Sequence, residues 1–129
     1  MSRLEEAPYA AGVQVAWAPT HVVAALSGKI SAEYALAVRE QLRAVVLGGR
    51  RFVLVDLSGV TEIDSHGLGA LVALVKLARE RGGAVRCCGA PPPVYALLAL
   101  TRLHQVLDCY PDRALALSEP WELRGGHHG

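Results

Sequence analysis

An aspartate, a serine and a histidine stand side by side at Asp64-Ser65-His66, followed by Gly67-Leu68-Gly69. The apolar run before them reads as a buried strand and the longer one after them as a helix, so Asp64 and Ser65 fall where strand gives way to helix. Ser and Asp are favoured there because their side-chain oxygens accept hydrogen bonds from N–H groups that the first helical turn leaves unpaired. Those N–H groups and the helix dipole also suit an anion, phosphate included. Gly67 and Gly69 each cost helix stability relative to alanine, so two so close together imply that something approaches the first turn closely. Two chemistries fit. One is a capped helix in a tight connection. The other is a serine placed for reversible phosphorylation, which would add about −1.5 to −2 charge at neutral pH to a surface on which a partner docks.

A hydrolase fits poorly. Adjacent residues at a helix start point in different directions, whereas the members of a nucleophilic triad meet in space rather than in sequence. The flanks are not Gly-x-Ser-x-Gly either. Asp56, at the end of the Phe52-Val53-Leu54-Val55 run, could be the acceptor of a phospho-aspartate receiver, but the early strands lack the acidic pair that would hold Mg²⁺; it reads instead as a structural or loop-ordering carboxylate. Three cysteines, Cys87, Cys88 and Cys109, are an odd number and read as reduced thiols. Neighbours in a strand alternate faces, so Cys87 and Cys88 cannot both serve one metal. His127 and His128, in a glycine-rich end, read as tail rather than as ligands. No metal or cofactor is expected.

The elements that must position Ser65 follow from periodicity. Gly12–Trp17 alternates Val13, Val15 and Trp17 with Gln14 and Ala16, a strand with one solvated face. His21–Leu26 reads as its hairpin partner. Ser27-Gly28-Lys29-Ile30-Ser31 reads as a loop, with Ser31 as the N-cap of a helix over 32–47 whose inward positions are Ala35, Val38, Leu42 and Val45. Residues 51–57 read as a central parallel strand covered on both faces. A helix over about 65–81 is apolar nearly all round until Lys76, Arg79 and Glu80, which implies that part of it is left for a partner. Then come a strand at 84–88, a proline-led helix at 94–103 with Val94, Leu97, Leu98 and Thr101 inward, a short strand at 106–110, and a helix at 113–117 capped by Asp112. Trp121 is expected to pack back on the body. The order is β-β-α-β-α-β-α-β-α, an α/β fold with a mixed, mostly parallel sheet of four to five strands and helices packed against it. Function in such sheets gathers at the C-terminal ends of the strands, and the Asp64–Ser65 loop leaves such an end.

Composition narrows the partners. The chain of 129 residues fits one domain; it is 52% hydrophobic but only 5% aromatic, so its core is aliphatic. Thirteen basic residues against twelve acidic give a net charge of +1 with no basic stripe, so nucleic acid is not an implied partner. No apolar run reaches the roughly 20 residues of a membrane span, and the N-terminus lacks a signal-peptide pattern. No membrane insertion and a cytoplasmic location are expected.

With these residues in place, the chain resembles the STAS family, and within it the free-standing bacterial anti-sigma-factor antagonists. The resemblance spans about residues 12–118, with 1–11 expected as a flexible N-terminus and 119–129 as a C-terminal tail. Its most specific part is Val53-Leu54-Val55-Asp56-Leu57 followed by Ile63-Asp64-Ser65-His66-Gly67-Leu68-Gly69-Ala70-Leu71, where the family carries Asp-Ser-(Ser/Thr)-Gly-(Leu/Ile)-Gly after an apolar strand. Gly82-Gly83, Pro93-Val94, Leu97-Leu98, Leu103 and Val106-Leu107 match the family's later strand, helix and strand. The resemblance implies a non-enzymatic switch. Its serine after the aspartate, Ser65 here, would be phosphorylated by a serine kinase that is also the anti-sigma factor. Unphosphorylated protein would bind that kinase and free a sigma factor, and a serine phosphatase would reset the switch. Asp64, His66, Gly67, Leu68, Gly69 and Ser31 would shape the partner-binding surface. Two positions depart from the pattern: His66 replaces the second hydroxyl residue, and Ser31 replaces the aspartate that ends the family's Gly-x-(Leu/Ile)-Asp loop. Arg102 also stands where a glycine is common. The alternative within the fold is a STAS scaffold or partner subunit of a stress-sensing or transport ATPase complex, working without phosphorylation.

Overall fold

The computed structural model describes residues 12–121; residues 1–11 and the His127-His128 end lie outside that range. Five strands form one sheet in the order β1-β2-β3-β4-β5, with β1 at Gly12–Trp17, β2 at Val22–Ile30, β3 at Phe52–Ile63, β4 at Ala84–Cys88 and β5 at Asp108–Tyr110. β1 pairs antiparallel with β2, and every later pair is parallel. The opening hairpin and the mostly parallel α/β sheet are thus as the pattern implied. Four helices connect and cover the strands: α1 at Ala32–Leu47, α2 at Ser65–Glu80, α3 at Pro92–Leu100 and α4 at Arg113–Ser118.

Strand alternation splits the core in two. Val22, Ala24, Leu26, Val53, Val55, Leu57 and Cys87 join buried residues of α1, α2 and α3 in the larger cluster. Val23, Leu54 and Cys88 face the other way and meet Ala116 of α4, with Tyr110 and Trp121 packed against them. Cys87 and Cys88 therefore point to opposite faces. Full burial of each such Val or Leu stabilises by about 1.5–3 kcal/mol. On the smaller face, packing is reinforced by polar anchors. Arg86, 3% exposed, donates to the carbonyls of Ala116 (2.7 Å), Glu119 (2.8 Å) and Pro120, and lies over the Trp121 ring at 4.1 Å. Trp121 stacks on Phe52 with ring centroids 5.3 Å apart.

Three local readings are corrected. The expected loop at 27–31 is strand as far as Ile30, and β3 runs on to Ile63 to pair with it. Leu26, Gly28 and Ile30 are buried while Ser27 and Lys29 are exposed, so the polar residues form the outer half of an alternating strand rather than a loop. Register shifts between Ala25 and Ser27 and between Gly28 and Lys29 let the two strands stay paired. The proline-led helix ends at Leu100, and Thr101 is exposed, its hydroxyl bonded to the Leu97 and Leu98 carbonyls. Arg102 follows in the left-handed region at φ 63°, breaking the chain direction before a 3-10 turn at Leu103–Gln105, so the last strand starts at Asp108 rather than at 106.

Candidate functional site

β3 ends at Ile63, Asp64 takes an extended N-cap conformation, and α2 starts at Ser65. Asp64 Oδ1 accepts the N–H of His66 (2.9 Å) and of Gly67 (3.1 Å), two donors that a helix start leaves without partners. Its Oδ2 accepts the N–H of Ala32, the first residue of α1, at 3.1 Å. One carboxylate thus fixes the starts of two helices. Desolvation raises the Asp64 carboxyl, but the N–H groups of Gly67, Ala32 and His66, with the His66 ring beside them, together outweigh it and hold it below its ordinary value. The ring is close but not tightly bonded: His66 Nδ1 is 3.7 Å from Asp64 Oδ2, and the side chain is largely exposed.

Ser65 is exposed in the first position of the helix. The capping role belongs to Asp64, so the Ser65 hydroxyl is not needed to hold the turn. Residues 65, 69, 72 and 76 fall on one side of α2 at helical spacing. All four, Ser65, Gly69, Val72 and Lys76, are exposed. The opposite side, Leu68, Leu71, Leu74, Val75 and Ala78, is buried against the sheet and α1. The helix is therefore split between a core face and a narrow open stripe of small and apolar residues ending in a cation.

The two glycines have different reasons. A Cβ on Gly67 would collide with the Ile30 carbonyl oxygen and come within 2.6 Å of Ile63 Cγ1. The close approach inferred from sequence is thus the end of β2, inside the protein. A Cβ on Gly69 would meet nothing within 4 Å, so that position is open on the stripe. Gly67 and Leu68 are both buried and shape the site from beneath it. Ser31 occupies the N-cap position of α1 without a side-chain cap bond; its carbonyl accepts from Tyr34 and Ala35, and Asp64 supplies the side-chain cap instead. Residue types alone could not reveal that link, because it joins positions 32 apart. Asp56 lies away from this loop on the smaller face, accepting from the Ser58 N–H (3.0 Å), the Ser58 hydroxyl (2.8 Å) and Arg113 (2.7 Å). It orders the strand bend and holds the start of α4.

The family model for the Mlab-type STAS domain matches residues 13–108. The chain belongs to the STAS family. This STAS domain is 28% identical over 99 residues to the anti-sigma F factor antagonist of Paenibacillus polymyxa, covering 76% of this chain and 85% of that one. It is 33% identical over 89 residues to the intermembrane phospholipid transport system binding protein MlaB of Escherichia coli, covering 69% and 89%. Among solved structures, an anti-sigma factor antagonist from Mycobacterium paratuberculosis superposes with a TM-score of 0.78 at 27% identity, covering 87% of this chain and 95% of that chain. Among the described residues no helix is long and apolar enough to cross a membrane.

Proposed function

We propose that this STAS domain is an anti-sigma-factor antagonist, a non-enzymatic binding protein whose Ser65 hydroxyl is phosphorylated by a partner that is both anti-sigma factor and serine kinase. The observation that carries the reading is the division of labour at the start of α2. Asp64 makes all the cap bonds, which leaves an exposed Ser65 hydroxyl on a turn held rigid from two helices. In the unmodified state the partner docks over Ser65, His66, Gly69 and the Val72 and Lys76 stripe, with Gly67, Leu68 and Ser31 supporting that surface, and the sigma factor is released. A phosphate at Ser65 adds about −1.5 to −2 charge to a contact shaped for a neutral hydroxyl, and the partner leaves. The positive end of the α2 dipole lowers the cost of placing the phosphate there, although Asp64 already takes the His66 and Gly67 N–H groups. A serine phosphatase restores the binding state.

The test is recovery of the partner from native cells with wild type, Ser65→Ala and Ser65→Asp. A serine kinase of the anti-sigma type held by the first two and lost with Ser65→Asp supports the reading. Equal recovery on all three contradicts it.

The likeness to MlaB, at 33% identity, favours a second reading: a partner subunit of a transport ATPase complex that uses the same open stripe without phosphorylation. In that case the recovered protein is a transport ATPase, and Ser65→Asp weakens its binding no more than any charge placed on the stripe.

A further inference from the structure

Cys87 of β4 and Cys109 of β5 are register partners on neighbouring parallel strands, and their sulfurs lie 3.0 Å apart. Strand neighbours are about 4.8 Å apart, within the range of Cα separations that a disulfide spans without moving the backbone. Cys88 is paired instead with Tyr110 and faces the other side of the sheet. A metal bridge fits the distance poorly, since two thiolates on one tetrahedral zinc, each at about 2.3 Å, sit about 3.8 Å apart. Among the described residues no group of three His, Cys, Asp or Glu could complete such a site.

The two thiols also line a cleft of about 290 Å³, with Ala90, Tyr95, Tyr110 and Pro111 as its other walls. Cys109 is half-buried at that cleft, while Cys87 is 1% exposed. The geometry points to Cys87 and Cys109 as a redox site that a small peroxide oxidises from two thiols to a disulfide joining β4 to β5.

The hydrogen bonds assign the roles. Cys109 donates its S–H to the Leu107 carbonyl at 3.3 Å, so the proton shared between the sulfurs belongs to Cys87. That bond holds the Cys109 thiol below its ordinary value, against burial and the Asp108 charge, and the same bond together with burial pushes Cys87 up. Cys109 is then the better nucleophile and the more accessible one. Its thiolate attacks one oxygen of hydrogen peroxide: the S–O bond forms, the O–O bond breaks, and the departing hydroxide leaves as water with the proton that Cys109 gave up. The Cys87 sulfur then attacks the Cys109 sulfenic acid. The S–S bond forms, the S–O bond breaks, and a second water leaves with the Cys87 proton. Two sulfurs are oxidised and one peroxide is reduced. Cys88 stands apart from this chemistry, because burial, then the Asp56 charge, pushes its thiol up to about 11.

The experiment treats the reduced full chain, freed of reductant, with hydrogen peroxide, removes the peroxide, unfolds the chain in denaturant so that the buried thiols are reachable, blocks remaining thiols with N-ethylmaleimide, and maps tryptic peptides by mass spectrometry. A single chain with one blocked thiol, and a peptide pair whose fragments place the link between Cys87 and Cys109, is the result expected. The same link forms in Cys88→Ser. The inference is overturned by a link through Cys88, by chains joined to one another, by sulfinic or sulfonic acid on Cys109 without a link, or by three thiols that all remain open to blocking.

Discussion

Asp64 Oδ2 accepts the N–H of Ala32 at 3.1 Å, so the residue that caps α2 also holds the first turn of α1. Replacing Asp64 with Ala should therefore loosen two helix starts at once. The expected result is a lower Tm and faster hydrogen exchange at Ala32, His66 and Gly67 together. Faster exchange at His66 and Gly67 with Ala32 unchanged would mean that the tie to α1 carries no weight.

Gly67→Ala and Gly69→Ala should shift stability in opposite directions. The first forces a methyl group against the Ile30 backbone and should destabilise by about 1–3 kcal/mol or more. The second meets open space and should stabilise by up to about 1 kcal/mol through helix propensity. Urea midpoints of the two variants decide it. If partner binding uses the open stripe, Gly69→Ala should also weaken binding while raising stability, a combination that a purely structural glycine would not give.

Much of this was legible in the sequence, for physical reasons. Ser31 and Asp112 both stand at helix starts as their short polar side chains imply, but only Asp112 makes the expected side-chain bond, to the Leu115 N–H at 2.8 Å, while Asp64 caps α1 in place of Ser31. The apolar faces of α1 and α2 announced themselves by spacing, and Trp121 packs back as expected, on Phe52. What spacing could not show were links between distant positions. The pairing of 27–30 with 59–63 hid behind polar residues that belong to the exposed half of a strand. The anchoring of α4 by Arg86 and by the Asp56–Arg113 pair depends on positions 30 to 57 apart, to which no local pattern points. At the site, the motif identified the loop, but only the fold separates the exposed Ser65, His66 and Gly69 from the buried Gly67 and Leu68.

Arg102 is the one non-glycine residue with positive φ among those described, at 63°. A side chain there costs about 1–2 kcal/mol, partly offset in a comparison with glycine by glycine's larger loss of freedom on folding. Arg102→Gly should raise stability by roughly 0.5–1 kcal/mol, read as a higher urea midpoint with an unchanged slope. A lower midpoint would show that the Arg102 side chain makes a stabilising contact that outweighs its strain.

Burial raises the Asp56 carboxyl, but the N–H and hydroxyl of Ser58 and then Arg113 outweigh it and hold it below the ordinary 3.8; Asp64 is also held low. A carboxyl depressed by folding adds stability that is fully present above its unfolded value and is lost as pH falls through its folded value. Stability should thus be level above about pH 5 and decline below about pH 4. Asp56→Asn should remove part of that decline and cost roughly 1–2 kcal/mol at neutral pH, a range kept low because Arg113 is half exposed. Denaturation midpoints across this pH range check both. An Asp56→Asn curve parallel to wild type in acid would show that Asp56 does not contribute to the acid slope.

The most direct measurement for the Ser65 switch is intact-mass and phosphosite analysis of the protein taken from its native cells, beside a Ser65→Ala variant expressed in the same cells. A single phosphate on Ser65 that disappears in the variant is the expected result. Protein that carries no phosphate under any growth condition, or carries one that persists in Ser65→Ala, would contradict the switch and leave the stripe of α2 as a binding surface that phosphorylation does not control.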